Sequence, residues 1–256
     1  MSRLRAKCPD CHTYTAVAMG PDYQCHACGR EFHAGLVRVP RAWGKGGEAM
    51  AEAATLPLAY PEAGVVAEET LADQTLAIAA ELPERPLILG GCCCSHIGAI
   101  EGLSARNDRL AVVWIDTHGD LNTPETSPSG NEWGMPLRMA IDSGAVDPQD
   151  VVLVGARDLD PPEQEYITAS GLHQSEDALD EVLDRTSCVY VALDVDALEP
   201  QEVASFMPLP GGLRVDDVER LFERLRGHVV GAGITGGVPD PRNVQPLERL
   251  CVALGL

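Results

Sequence analysis

Three side chains that can bind metal ions follow one apolar run in the chain. In "VVWIDTHGDL", residues 112–121, Asp116, His118 and Asp120 occupy alternate positions directly after the apolar residues. Carboxylates together with one imidazole suit Mn²⁺ and similar divalent ions. The run is typical of a buried strand, and ligands bind beyond the carboxyl ends of strands in open α/β sheets. The segment therefore predicts a metal site at the end of a strand.

Two further segments place reactive side chains at the ends of apolar runs. "ALDVDALEP" carries Asp194 and Asp196, and "LGGCCCSH" carries Cys93. Carboxylates gathered at one rim would repel one another or stay protonated unless cations compensated their charge. We therefore expect a site for two divalent ions that share carboxylates and activate a water molecule. The alternative is structural: "DTHGD" would be a polar turn and "DVD" the N-cap of a helix.

Short apolar runs alternate with helical patterns along most of the chain. The runs are apolar along their whole length, as expected of strands that are covered on both faces. The predicted strands are residues 36–40, 86–91, 110–116, 150–156, 188–196 and 228–235. The predicted helices are residues 66–82, 97–106, 134–143, 162–170, 176–185 and 215–226. This alternation favours an α/β sandwich with a mainly parallel sheet.

Four cysteines near the start of the chain form a second possible metal site. Cys8 and Cys11 make one C-x2-C pair, and Cys25 and Cys28 make another after thirteen intervening residues. Four thiolates on two tight turns suit a closed tetrahedral Zn²⁺ site. The segment resembles a zinc ribbon, in which metal binding would supply the folding free energy. The alternative is four cysteines that hold no metal.

The charge and apolar content of the chain exclude two classes of partner. The 256 residues include 39 acidic and 19 basic side chains, which gives a formal net charge of −20. So acidic a surface repels phosphate backbones, and we expect no nucleic-acid partner. No apolar run reaches the ~18 residues that a membrane helix needs, and the first residues lack the apolar stretch of a secretory leader. We therefore expect a cytoplasmic protein with reduced thiols and no membrane contact.

Three segments together resemble the ureohydrolase family of arginase and agmatinase. They are "WIDTHGDLNTPETSPSGNEWG", "LDVDALEP" and "PLPGGL", within a resemblance that covers roughly residues 85–240. It implies a three-layer α/β/α sandwich around an eight-stranded parallel sheet, with two Mn²⁺ ions that serve the hydrolysis of guanidino groups. We expect this arginase-like α/β domain over residues 37–256, and the ribbon with one structural Zn²⁺ over residues 1–36.

The resemblance also implies which residues hold each metal ion. The first ion would be bound by Asp116, Asp120, Asp194 and the residue at the position of a family histidine, here Cys93. The second ion would be bound by Asp116, His118, Asp194 and Asp196, so that two of the carboxylates bridge both ions.

Cys93 is a departure from the family pattern, in which a histidine occupies its position. A thiolate is softer than an imidazole and shifts metal preference toward Zn²⁺ or Fe²⁺. Some relatives that act on N-hydroxyarginine carry a cysteine at this position, so the change is compatible with catalysis. The alternative ligand is His96, which lies one helical turn further along.

The substrate-binding end of the site is also implied by the resemblance. The α-carboxylate of an amino acid would be held by Asn122, Ser127, Ser129 and Asn131. In "GARDLDPPE", Asp160 would meet the α-amino group, with Glu163 beyond it. Hydroxyl and amide donors suit a carboxylate, and a carboxylate suits an ammonium. These matches favour amino-acid substrates over decarboxylated ones such as agmatine.

Two further departures affect the reacting end of the substrate. The family histidine that transfers protons in "SGNxHG" is Trp133 here, and an indole cannot transfer a proton at neutral pH. The glutamate that faces the guanidinium in the family is Gly236 here, which removes a carboxylate opposite a cation. Glu132 or Asp240 could replace that carboxylate.

The sequence therefore predicts a metal-dependent hydrolase of a guanidino C–N bond. The substrate would be arginine or a modified arginine such as N-hydroxyarginine, and the product urea or a urea derivative. Asp120 would orient the attacking water and collect its proton, with His118 beside it. The alternatives are a metal-dependent amidohydrolase of different specificity and a non-catalytic scaffold. We expect a homo-oligomer whose partner is a small amino-acid-like molecule.

Overall fold

The computed structural model describes residues 5–8, 10–19, 22–32 and 35–255. Its strands are β1 (Ala16–Met19), β2 (Asp22–Cys25), β3 (Glu31–Phe32), β4 (Leu36–Val39), β5 (Glu62–Val65), β6 (Leu87–Gly90), β7 (Leu110–Ile115), β8 (Val151–Val154), β9 (Cys188–Asp194) and β10 (Val229–Thr235). Its α-helices are α1 (Glu48–Ala53), α2 (Leu71–Glu81), α3 (Ser95–Ser104), α4 (Pro136–Asp142), α5 (Pro161–Ser170), α6 (Leu179–Thr186), α7 (Val215–Leu225) and α8 (Val244–Leu254).

Seven of these strands form one sheet in the order β5-β4-β6-β10-β9-β7-β8, and every neighbouring pair is parallel. Alternate side chains of β7 enter two separate cores: Val112 and Trp114 pack with α2–α5, whereas Val113 and Ile115 pack with α6–α8. The sheet is therefore the middle of three layers, which confirms the predicted sandwich. The described sheet has seven strands, one fewer than the resemblance implied.

The strand order brings the carboxyl ends of four strands to one rim. β6, β10, β9 and β7 are consecutive neighbours, and Thr235 pairs with Asp194 while Ile115 pairs with Leu193. Residues that follow these strands must therefore meet at the same edge of the sheet. These residues are Cys93 after β6, Asp116 after β7, Asp196 after β9 and Gly236 after β10.

The predicted start of the helix over residues 66–82 is wrong, because the helix begins at Leu71. Residues Glu62–Val65 form the edge strand β5, which the sequence did not predict, and α2 begins only after Thr70. The Thr70 hydroxyl accepts the backbone N–H of Asp73 at 3.1 Å, which is the N-cap that fixes this start. The sequence reading also missed α1 and α8. No helix among the described residues is long and apolar enough to cross a membrane.

A second, antiparallel sheet of β1, β2 and β3 lies within the segment predicted to be a ribbon. This segment covers the exposed edge of β5 through Glu62. The Glu62 carbonyl accepts the backbone N–H of Lys7 at 2.6 Å, and its carboxylate binds Arg38 Nε at 2.6 Å and the Tyr14 hydroxyl. Covering an edge strand blocks pairing with other chains. The proposed boundary between residues 36 and 37 lies one residue inside β4, which begins at Leu36.

Candidate metal centres and substrate cleft

The rim gathers the first set of predicted ligands into one buried group. Ligand atoms of Cys93, Asp116 and Asp120 all lie within 4.8 Å of one another. Asp194 joins this group through its contact with Cys93, because its Oδ2 lies 3.0 Å from the sulfur. One thiolate and three carboxylates can therefore reach a common cation.

A second group shares Asp116 with the first. Ligand atoms of Asp116, His118 and Asp196 lie within 4.8 Å of one another. His118 Nδ1 is 3.4 Å from Asp116 Oδ1 and 3.2 Å from Asp196 Oδ2. Although burial lowers it, the pKa of His118 is raised to about 12 by its contacts with Asp116 and Asp196. Asp194 is tied to this group through its Oδ1, which accepts the backbone N–H of Asp196 at 2.9 Å.

The electrostatics of the rim fit a cation-binding site. Burial, reinforced by neighbouring carboxylates, raises the pKa of Asp116 and raises the pKa values of Asp120 and Asp194 well above their usual range. Asp120 Oδ2 is buried and has no hydrogen-bond partner among the described residues. A buried carboxylate oxygen without a donor is costly, and a bound cation would remove this cost. The oxygen and sulfur donors suit divalent metal ions.

Several side chains that the sequence reading missed hold these carboxylates in place. Trp114 Nε1 donates to Asp116 Oδ2 at 3.2 Å, and Thr117 donates from its N–H to Asp196 Oδ1 and from its hydroxyl to the Asp196 carbonyl. Arg157 donates to the carbonyls of Asp196 and Leu209 at 3.1 and 2.8 Å. Trp114 could have been found, because side chains two apart on a strand share a face.

The rim borders a cleft of about 210 Å³ that also contains most of the predicted substrate-binding residues. Its lining includes His118, Asp120, Asn122, Ser127, Ser129, Trp133, Asp160 and Glu163. Asn131 lies beside the cleft, where its Oδ1 accepts the backbone N–H of Lys45 at 3.0 Å. Met207 and Asp158 line the cleft as well and were not predicted.

Ser127 and Ser129 are arranged so that their hydroxyl hydrogens stay available. Ser127 Oγ accepts the N–H of Gly130 at 3.0 Å, and Ser129 Oγ accepts the N–H of Asn131 at 3.2 Å. Each hydroxyl therefore uses a lone pair within the loop, and the two oxygens lie 3.5 Å apart, at the outer limit of a hydrogen bond between them. So weak a contact lets each O–H turn toward a ligand as a donor. The two donors suit an anionic group in the cleft.

Asp160 and Glu163 have different surroundings at the start of α5. Asp160 is the N-cap residue, and its Oδ2 accepts Asn122 Nδ2 at 2.8 Å. Glu163 accepts the backbone N–H groups of Leu121 and Asp160, each at 2.9 Å, so both carboxylate oxygens bind main chain. Glu163 thus ties the metal-ligand loop to α5, whereas Asp160 is the freer carboxylate in the cleft.

Trp133 forms one wall of the cleft at the position of the family histidine. Its ring packs edge to face with Phe206 at a centroid distance of 6.0 Å. Its six-membered ring also lies against Gly44, where any side chain would overlap the indole. The chain is therefore shaped around a large aromatic group at this point.

Gly236 has no room for a side chain. Its φ of +73° is in the left-handed region, and an added Cβ would overlap the Asp194 carboxylate. Its backbone is held on both sides, because its N–H donates to the Gly91 carbonyl and its carbonyl accepts the N–H of Phe206. No carboxylate can occupy this position, and neither Glu132 nor Asp240 is among the described residues that line the cleft.

His96, the alternative to Cys93, lies behind the rim. Its Nε2 is 3.1 Å from Thr235 Oγ1 and its Nδ1 is 2.9 Å from the Tyr190 hydroxyl, so both ring nitrogens are engaged. Cys93, whose sulfur is 3.7 Å from Asp116 Oδ2, is the residue placed among the carboxylates. The geometry favours the thiol over this imidazole.

The four cysteines of the N-terminal segment form the second candidate metal centre. Ligand atoms of Cys8, Cys11, Cys25 and Cys28 lie within 4.8 Å of one another. The sulfurs of Cys8 and Cys28, and those of Cys11 and Cys25, are 3.6 Å apart. Four sulfurs about 2.3 Å from one Zn²⁺ in a tetrahedron would be separated by about 3.8 Å. The spacing therefore fits a zinc site.

Comparison with known proteins relates the chain to arginases. The model of the Arginase family matches residues 50–241. The arginase of Bacillus subtilis strain 168 is 36% identical over 166 residues, which cover 55% of this chain and 56% of that protein. The chain spans about half the length of the curated relatives it matches.

Solved structures show the same fold. The crystal structure of arginase from Bacillus subtilis superposes with a TM-score of 0.73 at 25% identity, over 87% of this chain and 98% of that one. Formimidoylglutamase from Bacillus subtilis subsp. subtilis strain 168 superposes with a TM-score of 0.69 at 17% identity, over 86% and 85% of the two chains. Proteins with different names thus share this architecture.

A change of Cys25 to serine tests the ribbon site. Because Zn²⁺ held by four thiolates supplies folding energy to so small a unit, Cys25→Ser should lower the zinc content by about one equivalent and leave the rim metals bound. Cys188→Ser is the control, because that thiol belongs to neither candidate metal centre and donates a hydrogen bond to the Arg109 carbonyl. Elemental analysis checks both variants, and an unchanged zinc content in Cys25→Ser would refute the site.

A change of Gly236 to alanine tests whether this backbone position shapes the rim. The new Cβ would force Asp194 aside at a left-handed φ, so Gly236→Ala should lower the free energy of unfolding by at least about 1 kcal/mol and reduce metal binding at the rim. In Gly237→Ala the nearest atoms lie at 3.6 Å, so this neighbour is the matched control. Urea unfolding and metal titration of both variants check the expectation. Equal behaviour of the two would contradict it.

Proposed function

Because the chain belongs to the arginase family, we propose that it is a binuclear-metal hydrolase that cleaves a guanidino C–N bond in arginine or a modified arginine. The observation that carries this proposal is the rim of buried carboxylates at the base of a cleft with hydroxyl donors on one side. Asp116 belongs to both ligand groups at this rim, as a residue shared between two ions would.

The residues that would hold two divalent ions, proposed to be Mn²⁺, are Cys93, Asp116, His118, Asp120, Asp194 and Asp196. When bound, such ions supply Lewis-acid polarisation and lower the pKa of water, so that a nucleophile forms at neutral pH. The buried carboxylates supply the negative charge that keeps the ions in place. The softer Cys93 would widen the choice of metal toward Zn²⁺ or Fe²⁺.

Asp120 is proposed to orient the attacking water and to take its proton. Its backbone φ is +52°, an uncommon conformation for a residue other than glycine, and its Oδ2 is buried without a donor. Conformations of this kind persist where the surrounding structure holds them, and they cluster at active sites. Asp120 also lines the cleft, so its carboxyl group adjoins the space in which the substrate would lie.

The α-carboxylate of the substrate is proposed to bind hydrogen-bond donors of the cleft, and the α-ammonium group is proposed to bind a carboxylate. The Ser127 and Ser129 hydroxyls would donate to the α-carboxylate, helped by Asn122 and Asn131. The Asp160 carboxylate would pair with the α-ammonium. These contacts lie far from the reacting carbon. They orient the substrate and contribute binding free energy, and they take no part in proton transfer.

The reacting end is proposed to be less basic than the guanidinium of arginine. Gly236 leaves no carboxylate opposite a full positive charge, and Trp133 offers an apolar wall without a transferable proton. A buried cation without a partner is costly, whereas an N-hydroxylated guanidine can bind without its charge. N-hydroxyarginine therefore fits this cleft better than arginine. A cytoplasmic location and a homo-oligomeric assembly stay predictions from the sequence.

Turnover of a graded set of compounds tests the proposed function. With Mn²⁺ bound, the protein should hydrolyse N-hydroxyarginine faster than arginine, and agmatine slowest because it lacks the carboxylate. Release of urea or hydroxyurea measures each rate. Rates with agmatine at or above both amino acids would contradict the assignment of the substrate end. Absence of turnover in fully metal-loaded protein would contradict hydrolysis and favour a scaffold.

Substitution of Asp160 by asparagine tests the ammonium contact. Asparagine can still cap α5, and it removes the negative charge together with one of the two acceptor oxygens. Because a hydrogen bond to a charged group contributes about 1.5–3 kcal/mol, KM for the amino-acid substrate should rise roughly tenfold or more, with kcat little changed. An analogue without the α-amino group should be hydrolysed equally by both proteins. A fall in kcat with unchanged KM would contradict this role.

A further inference from the structure

A line of polar side chains leads from the sulfur of Cys93 away from the cleft and into the core. Thr235 Oγ1 lies 3.1 Å from Cys93 Sγ, His96 Nε2 lies 3.1 Å from Thr235 Oγ1, and the Tyr190 hydroxyl lies 2.9 Å from His96 Nδ1. No member of this line is more than 3% exposed. Buried polar groups need partners, so each hydrogen along the line must be accounted for.

The far end of the line fixes the direction of its hydrogen bonds. Among the described residues, the Tyr190 hydroxyl has only His96 Nδ1 as a hydrogen-bond partner. Its O–H must therefore donate to Nδ1, because otherwise a buried donor would have no acceptor. An Nδ1 that accepts this bond carries no hydrogen, so the imidazole is neutral and has its single hydrogen on Nε2. Nε2–H then donates to Thr235 Oγ1.

The Thr235 hydroxyl is left with one hydrogen and two possible acceptors. Cys93 Sγ lies at 3.1 Å, whereas the Leu193 carbonyl lies at 3.5 Å, the outer limit of a hydrogen bond. The sulfur is the closer acceptor even though hydrogen bonds to sulfur are usually the longer ones. The reverse direction would leave the Tyr190 hydrogen without an acceptor.

We propose that Tyr190, His96 and Thr235 form a directed hydrogen-bond chain that presents a hydroxyl hydrogen to the Cys93 sulfur and positions it as a metal ligand. This inference rests on the metal centre of the proposed function. The Cys93 sulfur also lies 3.0 Å from Asp194 Oδ2, so these two ligand atoms can reach the same metal ion. The Thr235 hydroxyl contacts the sulfur as well. All three are positioning residues.

The surrounding packing reserves space for this chain. A Cβ on Gly233 would lie 2.5 Å from the Tyr190 hydroxyl and 2.6 Å from His96 Nδ1, so only glycine fits there. The His96 ring packs edge to face on Trp114 at 5.1 Å, and Trp114 donates to the ligand Asp116. Residues behind metal ligands commonly fix their orientation and tune their donor strength. Here the hydrogen-bond chain from Tyr190 would fix the orientation and tune the donor strength of the Cys93 thiolate.

The test uses the full-length protein with zinc in the ribbon and Co²⁺ at the rim, its content measured. The spectrum of Cys93→Ser is subtracted, so that only the sulfur-to-cobalt charge-transfer band of Cys93 remains. A hydrogen bond to a thiolate lowers the energy of the sulfur electrons. Its loss in Thr235→Val should therefore move the band to longer wavelength.

Tyr190→Phe is the decisive variant, because it removes the hydroxyl at the far end of the chain. In this variant the chain keeps its direction, because a hydrogen on Nδ1 would be a buried donor without an acceptor. Since each bond in a hydrogen-bond chain polarises the next, the Thr235 hydroxyl becomes a weaker donor to the sulfur. The band should move in the same direction as in Thr235→Val but by a smaller amount, and the double variant should move no further than Thr235→Val. Tyr166→Phe, a tyrosine on α5 outside the chain, should leave the band unchanged.

Three results would overturn the inference. They are a wild-type protein without the Cys93 band, a Tyr190→Phe band identical to wild type, and shifts that add in the double variant. Should Thr235→Val fail to fold, the Tyr190→Phe spectrum alone decides. Turnover of guanidino compounds separates this inference from the proposed function. A protein that is active but lacks the Cys93 band refutes only the hydrogen-bond chain. A protein whose band shifts as expected but that hydrolyses no guanidino compound refutes only the function.

Discussion

Carboxylates packed out of water at the ends of two neighbouring strands are the constraint on which the rest of this structure depends. Asp116, Asp120, Asp194 and Asp196 are each at most 8% exposed. Such charges are costly to bury and repel one another unless cations and hydrogen bonds compensate them. The parallel sheet meets part of this cost, because backbone N–H groups at the strand ends donate to Asp116, Asp194 and Asp196. The remaining charge makes the rim a place for metal ions.

The departures from the family pattern follow the same electrostatic logic. Where the resemblance implies a neutral imidazole, Cys93 can supply a thiolate, which adds one negative charge beside the rim. Where it implies a glutamate, Gly236 supplies none, and its backbone lies where a side chain would overlap Asp194. The two changes leave the total formal charge around the metals the same. The negative charge would move from the substrate side of the cleft to the metal-binding rim, in keeping with the proposal that the substrate is a weaker base than arginine.

The sequence predicted the layers of the fold and the members of the rim, because both are properties of local patterns. Apolar runs end at Asp116 and Asp194, and parallel strands place their ends together. It could not predict β5, since the run Glu62–Val65 gains its strand character only by pairing with β4. Nor could it give the role of Glu163, whose carboxylate binds the distant N–H of Leu121. The line from Cys93 to Tyr190 joins residues 97 positions apart, which only the folded chain brings together.

The ends of β6, β7 and β9 are proposed to hold two metal ions side by side. Diffraction from crystals of the Mn²⁺-loaded protein, recorded on both sides of the manganese absorption edge, tests this proposal directly. Two anomalous peaks are expected at the rim, one beside Cys93 and Asp120 and the other beside His118 and Asp196, with Asp116 between them. A single peak, or none at the rim in protein that binds manganese elsewhere, would contradict it.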